Sequence, residues 1–194
     1  MPPLTRSLRE RIRELEDDLT APERRIGAYH DMPFAIFRYD PEEEFEVRAE
    51  VRALAKRLER HGRQVRVLSL GQLMYEALEE VLGPAGMEEL FRAEAEHGVD
   101  RAIDTVHRIL TEIRPLSEMV CQQLLALDPQ NAVLFLTHAG DLFPVFRTSA
   151  LLESLIGRVR VPLVLFYPGK LEGAVGLRFM GVCEAEHSYR PRIY

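Results

Sequence analysis

Ala132-Val133-Leu134-Phe135-Leu136 and Val161-Pro162-Leu163-Val164-Leu165-Phe166 are the two runs whose reading decides the fold. Both are apolar without alternation. That is the pattern of a strand buried on both faces, found mainly in parallel sheets covered by helices. A polar, glycine-containing turn follows each run: Thr137-His138-Ala139-Gly140-Asp141 after the first, Tyr167-Pro168-Gly169-Lys170 after the second. The segment from Val145 to Ile156 between them reads as a helix. Strand, helix and strand make a βαβ unit, and open α/β sheets bind ligands outside the carboxyl ends of their strands. Both turns fall at such ends, so the pattern names a place for function before it names a chemistry.

Outward from this unit, Phe34 to Tyr39 predicts the first strand and Asp40-Pro41-Glu42-Glu43 a helix start. Asp40 is placed to cap, Pro41 suits the first helical position, and Glu43 can close a capping box. The acids Glu42, Glu43, Glu44 and Glu46 then sit at the positive end of the helix dipole. Lys56, Arg57 and Arg60 sit at the negative end, before Gly62. That placement accounts for the carboxylates without a metal. Val65 to Leu70 predicts the second strand, and Leu73 to Leu82 a helix ended by Gly83-Pro84. Met87 to Glu96 and Val99 to Leu127 continue helically, with Pro115 dividing the latter. The block 71–130 is longer than one crossover needs and is expected to form a helical insertion beside the sheet. Gly176 to Met180 predicts the closing strand, before the tail Ser188-Tyr189-Arg190-Pro191-Arg192-Ile193-Tyr194.

Residues 1–27 read as an N-terminal amphipathic helix and a linker punctuated by Pro22 and Gly27. Leu4, Leu8, Ile12, Leu15 and Leu19 form one narrow apolar stripe among charges. The stripe suits two occupants: the chain's own domain, or another subunit, a second copy included. On the second reading Leu8, Ile12 and Leu15 are the partner-binding candidates. The whole of 1–194 is expected to be a single α/β domain with a doubly wound, mostly parallel sheet.

Composition narrows the function classes. No apolar run approaches the roughly 18 residues of a membrane span, and the N-terminus lacks the apolar core of a signal peptide, so a cytoplasmic protein is expected. Cys121 and Cys183 stand far apart, which disfavours a disulfide scaffold or a zinc ribbon. A net charge of −6 argues against broad phosphate-backbone binding. The arginines of the N-terminal segment (Arg6, Arg9, Arg11, Arg13, Arg24, Arg25) are interleaved with acids, so direct nucleic-acid contact is not expected.

The chain also lacks the standard catalytic signatures. There is no Gly-x-x-x-x-Gly-Lys-Ser/Thr loop to cradle phosphate, no Gly-x-Gly-x-x-Gly and no Gly-x-Ser-x-Gly elbow. The histidines show neither His-x-x-x-His nor His-Glu-x-x-His spacing, which removes a zincin-type metal site. No cofactor is implied. What remains is the pair of strand-end turns, where His138, Asp141, Arg147, Tyr167 and Lys170 could converge on one polar pocket. Gly140 and Gly169 permit close backbone approach there, and Arg147 and Lys170 suit an anion such as a nucleotide phosphate. The plainer alternative is a pair of turns whose polar groups satisfy local backbone.

An ordered set of motifs gives this sequence a family likeness. They are Phe34 to Glu44, Leu136-Thr137-His138-Ala139-Gly140-Asp141-Leu142-Phe143-Pro144 with Arg147, Phe166-Tyr167-Pro168-Gly169, Phe179-Met180-Gly181, and Tyr189-Arg190 with Ile193. In this the chain resembles the BrxB family of BREX (bacteriophage exclusion) defence systems, over nearly its whole length. The family pattern favours a smaller residue at position 138, so the likeness carries no role for the imidazole of His138. The resemblance implies a core like that of a P-loop NTPase whose nucleotide motifs have degenerated. It further implies a small, non-catalytic interaction or scaffold subunit that binds other BREX proteins, first among them the PglZ-type member of the phosphatase superfamily. The alternative it leaves is a nucleotide- or anion-binding sensor, or a weak hydrolase, working at the strand-end turns.

Overall fold

A computed structural model describes residues 6–21, 26, 33–173, 176–184 and 191–194. The linker residues Pro22, Arg24, Arg25 and Gly27, and Tyr189 and Arg190 of the tail, lie outside them. The order is α1 (Leu8–Thr20), β1 (Phe34–Tyr39), α2 (Glu44–Arg60), β2 (Gln64–Ser69), α3 (Leu70–His97) and α4 (Val99–Arg108). It continues with α5 (Leu116–Leu124), β3 (Ala132–Thr137), α6 (Thr148–Leu155), β4 (Leu163–Glu172), β5 (Gly176–Phe179) and β6 (Arg192–Ile193). Short 3-10 turns precede α2 (Pro41–Glu43) and follow β3 (Ala139–Leu142), and a π turn (Ile109–Ile113) follows α4.

The strands lie in the order β2-β3-β4-β1-β6 and all neighbours on that path are parallel. Successive side chains of a strand point to opposite faces, so two sets of alternating residues are buried separately. Phe34, Ile36, Leu134, Leu136, Leu163 and Leu165 pack beneath α3, α5 and α6. Ala35, Phe37, Val133, Phe135, Val164 and Phe166 pack beneath α1 and α2. The crossover from β1 to β2 and those from β2 through β3 to β4 run in opposite senses along the sheet. Crossovers of one hand therefore put their helices on opposite faces.

Local chemistry starts and stops the helices where the sequence reading places them. Asp40 N donates to Glu43 Oε2 at 2.9 Å, so the capping box before α2 is formed. Within α3 the backbone breaks at Gly83 (φ 62°), one residue before Pro84. The segment 99–127 divides at Pro115, with Arg114 extended at φ −133° between the π turn and α5.

Of the two occupants suggested for the α1 stripe, the structure shows the chain's own domain: Leu8, Ile12, Leu15 and Leu19, the partner-binding candidates among them, are all buried against α2 and the sheet, while Leu4 lies outside the described residues. The reason is the sheet itself, whose second face α2 alone does not cover. Polar contacts fix the arrangement. Arg57 Nε meets Glu16 Oε2 at 2.8 Å, and Arg11 donates to the carbonyl of Arg38 while stacking 5.1 Å over the Phe37 ring. One expectation is corrected, the turn after the fourth strand. The closing strand is present as β5, and among the described residues it pairs with the far end of β4, antiparallel, from Gly169 opposite Phe179 to Glu172 opposite Gly176. Tyr167-Pro168-Gly169-Lys170 is therefore continuous strand rather than a turn.

The parallel sheet is extended instead by β6, against β1. Tyr194 N donates to Ile36 O at 2.9 Å and Arg38 N to Tyr194 O at 3.2 Å. The Tyr194 hydroxyl donates to the buried carboxylate of Asp18 at 2.6 Å, and Arg192 pairs with the same carboxylate at 2.6 Å and with Glu14 at 2.8 Å. Burial, and then the bond to Asp18, push the Tyr194 phenol far above its ordinary range, so it stays a donor at any working pH. The end of the chain thus holds α1 on the sheet.

Leu15→Ala is expected to cost about 2–5 kcal/mol through lost burial and the cavity left behind. Tyr194→Phe is expected to cost about 1–3 kcal/mol by leaving part of Asp18 unsatisfied. Urea unfolding measures both. A Leu15→Ala variant as stable as the parent would show the stripe to be uncovered.

Candidate functional site

At the carboxyl ends of β1, β3 and β4 the structure has a cleft of about 160 Å³, lined by Pro41, Glu44, Arg48, Gly140, Asp141, Pro168 and Met180. It arises because three chain segments leave the sheet side by side. β1 turns through Pro41 into α2, β3 turns through Gly140 and Asp141, and β4 continues past Pro168 into its hairpin arm. A side chain at Gly140 would reach within 3.3 Å of Met180 Sδ and 3.4 Å of Pro168 Cγ, so the turn after β3 rests directly on the arm.

One wall is a connected polar chain. The buried phenol of Tyr39 donates to Glu44 Oε2, and Glu44 Oε1 accepts from Arg48 Nε at 2.7 Å, one helical turn on. Burial first, then the bond to Glu44, push the Tyr39 phenol far above its ordinary range. Glu44 lies in the first turn of α2, where the helix dipole favours a carboxylate. Its two oxygens are thus committed to a phenol and a guanidinium from its own surroundings.

The opposite wall carries Asp141. A Cβ at Gly71 would lie 2.1 Å from Asp141 Oδ2, so this carboxylate sits against bare backbone in the first turn of α3. Ser69 caps the same helix, its Oγ accepting from Gln72 N at 3.2 Å. Asp141 therefore meets a helix N-terminus whose dipole stabilises negative charge.

The residues that sequence reasoning grouped are placed differently. Only Asp141 of that group lines the cleft. His138 is half-buried in the left-handed region (φ 56°), with Nδ1 3.0 Å from Thr137 Oγ1, and that hydroxyl donates to the carbonyl of Leu68 at 3.1 Å. Tyr167 is fully buried in the core beneath α3 and α6, its ring 5.3 Å from that of Phe179. A continuous strand has turned it inward, where a turn would have let it face the cleft. Lys170 is exposed on the arm, its methylenes passing beside Gly181, and Arg147 is exposed at the start of α6. Gly169 is required sterically, since a Cβ there would fall 2.5 Å from Arg178 O and 2.5 Å from the Tyr167 ring. Arg48 and the Tyr39 hydroxyl were missed. The spacing of Glu44 and Arg48, four apart on a helix, was the signal available for them.

Among the described residues, no group of three or more His, Cys, Asp or Glu side chains could hold a metal ion, and no helix is long and apolar enough to cross a membrane. Cys121 is partly covered and burial raises its thiol above the ordinary value, which leaves it little thiolate character.

Comparison with known proteins adds the following. The family described as BREX protein BrxB matches residues 66–193, a span that takes in Gly140, Asp141, Pro168 and Met180 of the cleft. A BREX protein BrxB of Bacillus cereus (strain H3081.97) is 29% identical over 189 residues, which cover 95% of this chain and 96% of that protein. No solved structure matches the chain.

Glu44→Ala is expected to destabilise the fold by about 1.5–3 kcal/mol, because it strands a buried phenol and a guanidinium together. Tyr39→Phe in the same chain should recover part of that loss, since both partners of one bond are then gone. Additive losses in a denaturation cycle would show that the contact is not a coupled one.

Proposed function

The chain belongs to the BREX protein BrxB family, and on that footing we propose that it works as a non-catalytic interaction subunit of a BREX bacteriophage-exclusion system. It acts in the cytoplasm by binding other proteins of that system, with the PglZ-type protein as its direct partner. The observation that supports this reading is the state of the strand-end cleft. In an open α/β fold that cleft is where a ligand is expected. Here Glu44 is held by Tyr39 and Arg48, and the Asp141 carboxylate lies close against the backbone of Gly71 in the first turn of α3, so the acids lining the space serve local structure on this reading.

The β1–α2 junction bears on ancestry. A P-loop is a strand, a glycine-rich turn and a helix whose N-terminus receives phosphate. The chain has the strand and the helix, but Asp40-Pro41-Glu42-Glu43 stands where the phosphate loop would be. We read the core as a degenerate version of that architecture. The same residues weigh against a nucleotide or other anion in the cleft: Glu44 and Asp141 place two carboxylates against the single guanidinium of Arg48, which is already paired.

Co-expression of the tagged chain with the complete set of system proteins tests the interaction role. The PglZ-type protein is expected to co-purify in fixed ratio through size exclusion. A chain that elutes alone with every system protein present would overturn the proposal. The anion reading has its own test, because a bound nucleotide at a hundredfold excess over Kd stabilises by about 2.7 kcal/mol. No shift in Tm is expected with ATP, GTP or inorganic phosphate at millimolar concentration.

A further inference from the structure

β2 is the terminal strand of the parallel sheet, and among the described residues β3 is its only strand partner. Gln64 N donates to Asn131 O at 3.1 Å, and the Leu68 carbonyl accepts from Thr137 on β3. The backbone groups of Gln64, Arg66 and Leu68 therefore face β3. Because direction alternates along a strand, those of Val65 and Val67 face outward. Edge strands usually carry a device that discourages pairing, such as a proline, a bulge, an inward charge or a cover. β2 has no proline, pairs with β3 without interruption over all six residues and leaves Val67 44% exposed; its one charge is Arg66.

The segment that runs from the end of α2 into this strand carries charge opposite to that of the chain. Over residues 56–67 there are five basic side chains (Lys56, Arg57, Arg60, Arg63 and Arg66) and one acid, Glu59, in a protein of net charge −6. Arg57 is held by Glu16 and Arg63 donates to the carbonyl of Ala21, while Lys56, Arg60 and Arg66 are exposed. Arg66 reaches Gln123 on α5 at 2.6 Å, which keeps its guanidinium beside the strand rather than across it.

We infer that the outer edge of β2 is a docking edge for an extended, acidic segment of another protein, which adds to the sheet as a further strand. Backbone bonds to Val65 and Val67 supply the affinity, and Lys56, Arg60 and Arg66 select acidic side chains flanking the added strand. A second copy of this chain is the wrong occupant, since pairing β2 with itself would bring two such basic clusters together. The inference rests on the contact role proposed above and names the surface that performs it.

The probe is a fluorescein-labelled peptide of alternating Glu and Val, about eight residues long, enough to span the strand. Titrated with the full chain, it is expected to give saturable anisotropy that weakens as salt is raised. Val67→Pro removes one outward N–H at an edge, where proline is tolerated, and should weaken binding by about tenfold or more with Tm unchanged. Val67→Lys serves if the proline variant fails to fold. The paired change Arg60→Glu with Arg66→Glu should abolish binding, and amide exchange at Val67 should slow when peptide is bound. Equal binding of a Lys-Val peptide, of single-stranded DNA, or of the Val67→Pro chain would overturn the inference. If system proteins still co-purify with Val67→Pro at wild-type yield, the edge is wrong and the contact role stands. If none co-purifies with the parent chain, the contact role itself is wrong.

Discussion

Burial of β1, β3 and β4 on both faces is the constraint from which the rest of this structure follows. Each strand sends alternate side chains into two separate cores, so helices must cover the sheet twice. One side is supplied by α3, α5 and α6. On the other, α2 leaves sheet area uncovered, and α1 takes it. An aromatic group of Phe37, Phe135 and Phe166, with centroids 5.3 and 5.5 Å apart, fills the space beneath α1 and α2. Burial of such rings contributes more than any polar contact nearby. The C-terminal strand then anchors α1 through Asp18, a buried carboxylate that both Tyr194 and Arg192 meet.

In the strand-end cleft the polar groups serve the local structure. A carboxylate at a helix start is ready for an incoming cation or proton when one of its oxygens is open. Glu44 has both engaged, and one of its partners is a buried phenol that would lose its bond if the carboxylate moved. Asp141 can lie close against α3 because Gly71 has no side chain. Both acids stabilise helix starts and hold neighbouring segments together. The cleft is thus a joint between β1, β3 and β4, and the contact role proposed above builds on that geometry.

The contact role proposed above needs a place that the core has not used. The narrow stripe on α1 is consumed, and the candidates at the strand ends are divided among core, arm and turn. The edge of β2 differs from them in kind. Among the described residues its outward backbone groups have no strand partner, and the segment leading into it is basic in an acidic chain. The helix dipole accounts for Lys56, Arg57 and Arg60 in the last turns of α2, whereas Arg66 lies in the strand itself, outside any capping or dipole role.

Legibility in the sequence followed the range of the interactions. Unalternating apolar runs established that Ala132–Leu136 and Leu163–Phe166 are strands with two buried faces. Asp40, Pro41 and Glu43 established the start of α2, and Gly83, Pro84 and Pro115 established where helices break, because each of these depends on neighbours within a few residues. Tyr167 and the stripe of Leu8, Ile12 and Leu15 were legible as apolar or amphipathic, but not as to what they face. That was decided by tertiary structure alone: Gly169 lets β4 continue against Arg178, and a second face of the sheet waits for α1. Pairing β6 with β1, seating Asp141 on Gly71 and leaving β2 at the edge all join residues far apart in the chain. The sequence alone determined the elements and their local ends, through short-range periodicity and capping. Their partners were decided only when the packed sheet brought distant surfaces within contact.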